Sequence, residues 1–192
     1  MNSYILILFF SVGFCQQAAS QAIRNPSFEG FSKIDAEING WIWCNKHSTP
    51  DLQPNVWNVT TAPQDGNTYV GLTCRNEGTW ESIAQFLPSP LWAGSCYKLN
   101  LQLARADTYA GYNRPARLRV WGSNSIAERG QLLASSPTIA HEEWRLYELS
   151  FVSQQNWKYI ILECYYKEPT LVPYRGNILI DNIQAFFSCD RA

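Results

Sequence analysis

Apolar and polar residues alternate along much of this chain, and the alternation has the period of a β-strand. In Tyr97-Lys98-Leu99-Asn100-Leu101-Gln102-Leu103 every odd position is apolar, so Tyr97, Leu99, Leu101 and Leu103 share one buried face. Ala116-Arg117-Leu118-Arg119-Val120-Trp121 repeats the pattern, with Leu118 and Val120 toward a core and Arg117, Arg119 and Trp121 together on the opposite face. A further strand is predicted over 69–74, after the turn signal Asp65-Gly66-Asn67. Another covers 80–87 and stops at Pro88-Ser89-Pro90. Segments 144–152, 159–166 and 177–187 complete the set. The stretch 125–135 has room for a helical turn, although Gly130 sits in its middle. Short strands separated by turns, with no strong helix, predict an all-β domain: an antiparallel β-sandwich of two sheets. No internal repeat, low-complexity segment or linker divides it.

The first twenty residues read differently. Ile5-Leu6-Ile7-Leu8-Phe9-Phe10-Ser11-Val12 is an apolar run of signal-peptide length, too short to span a bilayer, and Ala18-Ala19-Ser20 supplies the small residues of a cleavage site. Residues 1–20 are therefore expected to be a signal peptide, cut before Gln21, although the leader carries no Lys or Arg. A buried first strand, or a lipid on Cys15, are the alternatives. Residues 21–192 then form one domain, long enough to bury around 70% of its unfolded surface. The protein is expected to be secreted or held at the cell surface.

Net charge is −1 and the 15 basic residues are scattered, so neither nucleic acid nor a membrane surface has a basic stripe to bind, and membrane insertion is not expected. Outside the leader stand Cys44, Cys74, Cys96, Cys164 and Cys189. Export implies an oxidising compartment and bridges, and an odd number leaves at least one thiol over. No pair has the spacing of a zinc knuckle or a redox motif. The expected pairings are Cys44 with Cys74, and Cys96 with Cys189, which would tie the start of one long strand to the end of the last.

Three stretches in order resemble the CenC-like carbohydrate-binding modules of the galactose-binding jelly-roll superfamily. They are Asn25-Pro26-Ser27-Phe28-Glu29 with Gly40-Trp41; Ser82-Ile83-Ala84-Gln85-Phe86-Leu87 leading to Pro90-Leu91-Trp92-Ala93-Gly94-Ser95-Cys96-Tyr97-Lys98-Leu99; and Ile178-Leu179-Ile180-Asp181-Asn182-Ile183. The resemblance spans residues 23–187. It implies a jelly roll and a secreted, non-catalytic module whose partner is an oligosaccharide or polysaccharide. It also implies a structural calcium ion where the first and last strands meet, with Glu29 and Asp181 at the matching positions and backbone carbonyls completing the site. The cysteines and Thr49-Pro50-Asp51 look closer to exported domains of Bacteroidetes-type bacteria than to cellulase modules.

Sugar recognition needs flat apolar rings and polar groups at their edges. Aromatics make up 14% of the chain, with eight Trp, enough for both a core and a binding face. Covering one indole with a sugar removes roughly 50–80 Å² of apolar surface, about 1–2 kcal/mol. The expected site is a groove lined by Trp80, Arg119 and Trp121, with Tyr109 and Tyr112 at its rim in the loop that carries Asp107, Asn113 and Arg114. Trp43 and Trp57 bracket a second polar loop. Trp41, Trp92 and Trp144 are assigned to packing. Catalytic signals are sparse. His47 and His141 stand far apart with no nucleophile elbow, and His141-Glu142-Glu143 lacks the second histidine of a zinc protease. Glu81, Glu148 and Glu163 read as ordinary strand positions, and Asn58-Val59-Thr60 is a glycosylation acceptor in a eukaryotic host. Two other functions compete. One is a small jelly-roll polysaccharide lyase using Arg119, Tyr165 and His141. The other is an adhesive surface domain that binds protein through an exposed aromatic patch.

Overall fold

The computed structural model describes residues 22–167 and 169–189. The expected signal peptide and Cys15 lie outside the described residues. Among the described residues eleven strands run in chain order: β1 Ile42–Trp43, β2 Asp51–Gln53, β3 Tyr69–Cys74, β4 Ser82–Leu91, β5 Cys96–Ala104, β6 Arg114–Ser123, β7 Gln131–Ser135, β8 Arg145–Val152, β9 Trp157–Tyr166, β10 Gly176–Asp181 and β11 Phe187–Ser188. They form two layers. The front sheet has the order β1-β4-β9-β6-β7, antiparallel throughout. The back sheet has the order β2-β3-β10-β5-β8, with β11 continuing the line of β10 along β5. A short parallel pairing of β10 with β6 joins the layers at one corner. This is the all-β sandwich the alternation predicts.

The core lies between the layers and uses the predicted apolar faces. Tyr97, Leu99, Leu101 and Leu103 of β5, Leu118 and Val120 of β6, and Ile178 and Ile180 of β10 are all buried in one cluster. Fully burying each such aliphatic side chain contributes about 1.5–3 kcal/mol. The segment before β1 closes the cluster: Phe28 stacks against Trp41 with centroids 5.1 Å apart. Buried Gln85 of β4 acts there as a strand partner, accepting from the Arg24 amide at 2.7 Å and donating to the Arg24 carbonyl at 2.8 Å.

Strand boundaries differ from expectation at the prolines. β4 runs through Pro88 and Pro90 to Leu91, with a register shift between Phe86 and Leu91. The pairing with β9 skips from Phe86 to Leu91, so both prolines stand at an irregularity of the ladder, where a missing N–H is tolerated. The stretch 125–135 holds no helical turn. It ends in β7, and Gly130 lets the chain pass so close that a Cβ there would stand 2.6 Å from the Gly122 carbonyl oxygen. The strand expected over 177–187 ends at Asp181, after which the chain turns through Asn182 at φ 46°.

Cys96 and Cys189 are bridged as expected, tying β5 to the end of β11. The pairing of Cys44 with Cys74 does not occur. Cys74 is buried in the core on the inner face of β3, whereas Cys44 lies on the outer side of the front sheet with Ala84 and Ile161. A whole sheet separates them.

Candidate functional site

Every second residue of the front sheet points away from the core. On β9 these are Tyr159, Ile161, Glu163 and Tyr165; on β6 they are Arg117, Arg119 and Trp121. The register sets Ser82 of β4 against Glu163, and Glu163 against Arg119, so three polar residues cross the sheet in a row. Above this row an open groove of about 500 Å³ is lined by Trp80, Arg119, Trp121, Arg129, Glu163 and Tyr165, with Asn45 and His47 on one bank.

Three of the five residues expected to bind sugar, Trp80, Arg119 and Trp121, therefore line one groove. Each ring is held in place. Trp80 meets Tyr165 edge to face at 4.9 Å, and the Arg119 guanidinium lies 3.3 Å from the Tyr165 ring centroid. Trp121 packs on the apolar patch of Cys44, Ala84 and Ile161, and its Nε1–H donates to Glu163 Oε1 at 3.1 Å. Glu163 is only 1% exposed. Its second oxygen accepts from Arg129 Nε at 2.9 Å, and Arg129 also donates to Ser82 Oγ at 2.7 Å. Arg129 belongs to the β6–β7 loop, so Glu163 ties that loop to the sheet and fixes the indole beside it. The groove thus offers flat apolar rings together with a partly exposed arginine that can donate hydrogen bonds.

Tyr109 and Tyr112 are not at this rim. Their loop folds over the outer face of the back sheet because buried Asn177 of β10 grips both its ends, accepting from the Ala106 amide and donating to the carbonyls of Ala106 and Tyr112. Tyr109 is 1% exposed there, its hydroxyl donating to Asp51. Tyr112 lines a smaller pocket of about 150 Å³ with Arg75, Glu81, Asp51 and Trp57. His141 is also elsewhere, bonded to the Tyr147 hydroxyl of β8 at 2.8 Å. The groove brings together Arg119 and Tyr165 but not the third residue considered for a lyase. Trp41 is buried and Trp144 half-buried against Tyr69, as expected of packing residues, whereas Trp92 is 51% exposed.

Sequence reasoning missed Arg129 and the burial of two acids. Glu148 is an exposed strand residue paired with Lys98 at 3.1 Å, but Glu81 and Glu163 are buried, each against an arginine. The signal for Glu163 was present: it interrupts the apolar run Ile160-Ile161-Leu162 and Cys164, where a charge requires a partner.

Glu29 and Asp181, the residues expected to hold calcium, each bond the loop 64–68. Asp181 accepts from the amides of Gln64 at 2.8 Å, Asp65 at 2.9 Å and Asn182 at 2.7 Å. Glu29 accepts from the Asn67 amide at 2.9 Å and the Thr68 amide at 3.3 Å, and from Asn67 Nδ2 at 3.3 Å. Each carboxylate oxygen faces N–H hydrogens, which repel a cation, and among the described residues no group of three His, Cys, Asp or Glu is arranged to hold a metal. This donor set does not fit calcium held by Glu29 and Asp181. Adding calcium or a chelator is accordingly expected to leave the melting temperature unchanged. An ion at a hundredfold excess over its Kd would add about 2.7 kcal/mol, a shift of several degrees that a thermal melt resolves.

No protein-family model matches the chain, and no curated protein sequence matches it. Solved structures do match over its length. A cyclase from Fischerella sp. TAU has a TM-score of 0.57 at 13% identity, covering 91% of this chain and all of its own. A Stig cyclase from the same organism, solved with a pyrrolidinylidene-indole, has a TM-score of 0.56 at 13% identity over 90% of this chain and 98% of the cyclase. The CBM22-1 xylan-binding domain of Paenibacillus barcinonensis Xyn10C has a TM-score of 0.56 at 12% identity over 92% and 99%. At such identities the likeness is one of fold: this chain is built like jelly-roll modules that include a carbohydrate-binding one.

Proposed function

We propose that the protein is a secreted, non-catalytic carbohydrate-binding module of the CenC-like kind, and that it takes its glycan in the front-sheet groove. The observation that carries this reading is the gathering of Trp80, Trp121 and Tyr165 around the Arg129–Glu163 pair in one open groove. Rings supply faces for the C–H side of a sugar, and Arg129, held by Glu163, supplies a donor for its hydroxyls. Two or three ring contacts of about 1–2 kcal/mol each total about 2–6 kcal/mol, which corresponds to dissociation constants from tens of millimolar down to tens of micromolar, the weak binding of a targeting module. The fold shared with a xylan-binding domain supports the same reading, and the Cys96–Cys189 bridge together with the apolar leader supports export.

Affinity gel electrophoresis of residues 21–192 through a panel of neutral and uronic-acid polysaccharides tests it. Retardation by at least one class is expected, with no unsaturated products released from the acidic members. Unretarded migration through every gel would remove the proposal, and release of such products would replace it with the lyase.

A further inference from the structure

We infer that Cys74 and Cys164 close a second disulfide, joining the back sheet to the front sheet through the core. Cys74 ends β3 on its inner face, in line with Leu72, and Cys164 lies on the inner face of β9, in line with Leu162. Both are 0% exposed and belong to the same core cluster. A single residue bridges their backbones: the Glu81 amide donates to the Thr73 carbonyl at 2.9 Å, and the Cys164 amide donates to the Glu81 carbonyl at 3.0 Å. Both are free thiols in the structure, near enough for Cys74 to raise the cost of ionising Cys164. Gly176 stands opposite Cys74 in the register, and a Cβ there would come 3.3 Å from the Cys74 sulfur, so the space beside the sulfur is kept by the absence of a side chain.

Two buried thiols in one core cluster, with their strands joined through Glu81, in a chain that already bridges Cys96 to Cys189, are placed for oxidation rather than for packing alone. Burial and the neighbouring thiol push Cys164 well above the ordinary thiol range, so its thiolate is scarce once the core has closed. The reaction therefore belongs to the folding chain, while β3 and β9 are meeting and water still reaches both. One thiolate attacks a disulfide oxidant of the export compartment, a small-molecule or protein disulfide, and expels one of its sulfurs as a thiol. The second thiolate then attacks the mixed disulfide and expels the other. Two protein thiols become one S–S bond, and one oxidant disulfide becomes two thiols. Cys44, on the far side of the front sheet, is left as the unpaired thiol among the described cysteines.

The test is peptide mapping of the full chain secreted through an oxidising compartment, alkylated under denaturing conditions without reductant and digested with trypsin. The joined Cys96 and Cys189 peptides in the same digest show that bridges survived handling. The expected result is peptide 47–75 joined to peptide 159–167, with the alkyl label on Cys44 in peptide 34–46. Label on both Cys74 and Cys164, or a link from Cys44 to either, would overturn the inference.

Discussion

Replacing Trp121 by alanine is expected to weaken binding of any retained glycan by roughly tenfold or more, because the lost ring contact is about 1–2 kcal/mol and each 1.4 kcal/mol is a factor of ten. The indole carries more than its own contact. Its N–H is one of the groups that hold Glu163, and Glu163 holds Arg129, so ring and cation are placed by the same carboxylate. Trp121→Phe separates these roles by keeping a ring and removing the donor. Glu163→Gln weakens the grip on Arg129 while leaving the ring on its apolar patch. Both are expected to fall between wild type and Trp121→Ala when measured by calorimetry, while Tyr112→Phe, on the other sheet, should bind like wild type. If Trp121→Ala binds as wild type does, the groove is not where the sugar sits. Thermal melts accompany each variant, since a shift large enough to unfold the protein would explain any loss of binding.

The layers were legible in the sequence because alternation is a local signal. Strands β5 and β6 each state which face is buried, and nothing distant alters that. Trp80, Arg119 and Trp121 were found together for the same reason: once Leu118 and Val120 face inward, Arg119 and Trp121 must share the other side. Tyr109 and Tyr112 failed because a loop between strands of different sheets can fold over either layer. Which one it covers was decided by Asn177, more than sixty residues away. Arg129 was unreadable for a similar reason, since its role exists only through Glu163 on another strand. The half-correct cysteine pairing has the same origin. Cys96 and Cys189 sit at the ends of strands that run side by side, whereas the separation of Cys44 from Cys74 depends on which face of the sheet each occupies, and the short β1 shows no alternation to fix that.

The largest effect on stability is expected at Arg75. Glu81 is 2% exposed and accepts from Arg75, from the Thr73 amide at 2.8 Å and from Thr49 Oγ1 at 3.1 Å. Burial still pushes its carboxyl up, to about 8, against the opposing pull of Arg75 and these hydrogen bonds. Arg75→Ala removes that cation and its hydrogen bonds; a carboxyl already raised to about 8 takes up a proton rather than standing charged, so the loss is that of leaving a buried polar group without its partner, about 1–3 kcal/mol. The penalty depends on pH in a defined direction. Glu81 has a higher pKa folded than unfolded, so it favours the folded state fully below about 4.5, and that favour is lost as pH rises through about 8. Removing Arg75 raises the folded value further, which enlarges the penalty at pH 8 and shrinks it at pH 5, where a protonated carboxyl needs no cation. Asp51 and Asp181, both raised to about 6 chiefly by burial, act in the same direction, so the wild-type protein is itself expected to be more stable at pH 5 than at pH 8. Urea unfolding of wild type and Arg75→Ala at the two pH values measures the difference, and Glu81→Gln in the Arg75→Ala background should recover part of the loss at pH 8. An equal penalty at both values would mean that the guanidinium acts through its hydrogen bonds to the His47 carbonyl and Thr49 rather than through the charge of Glu81.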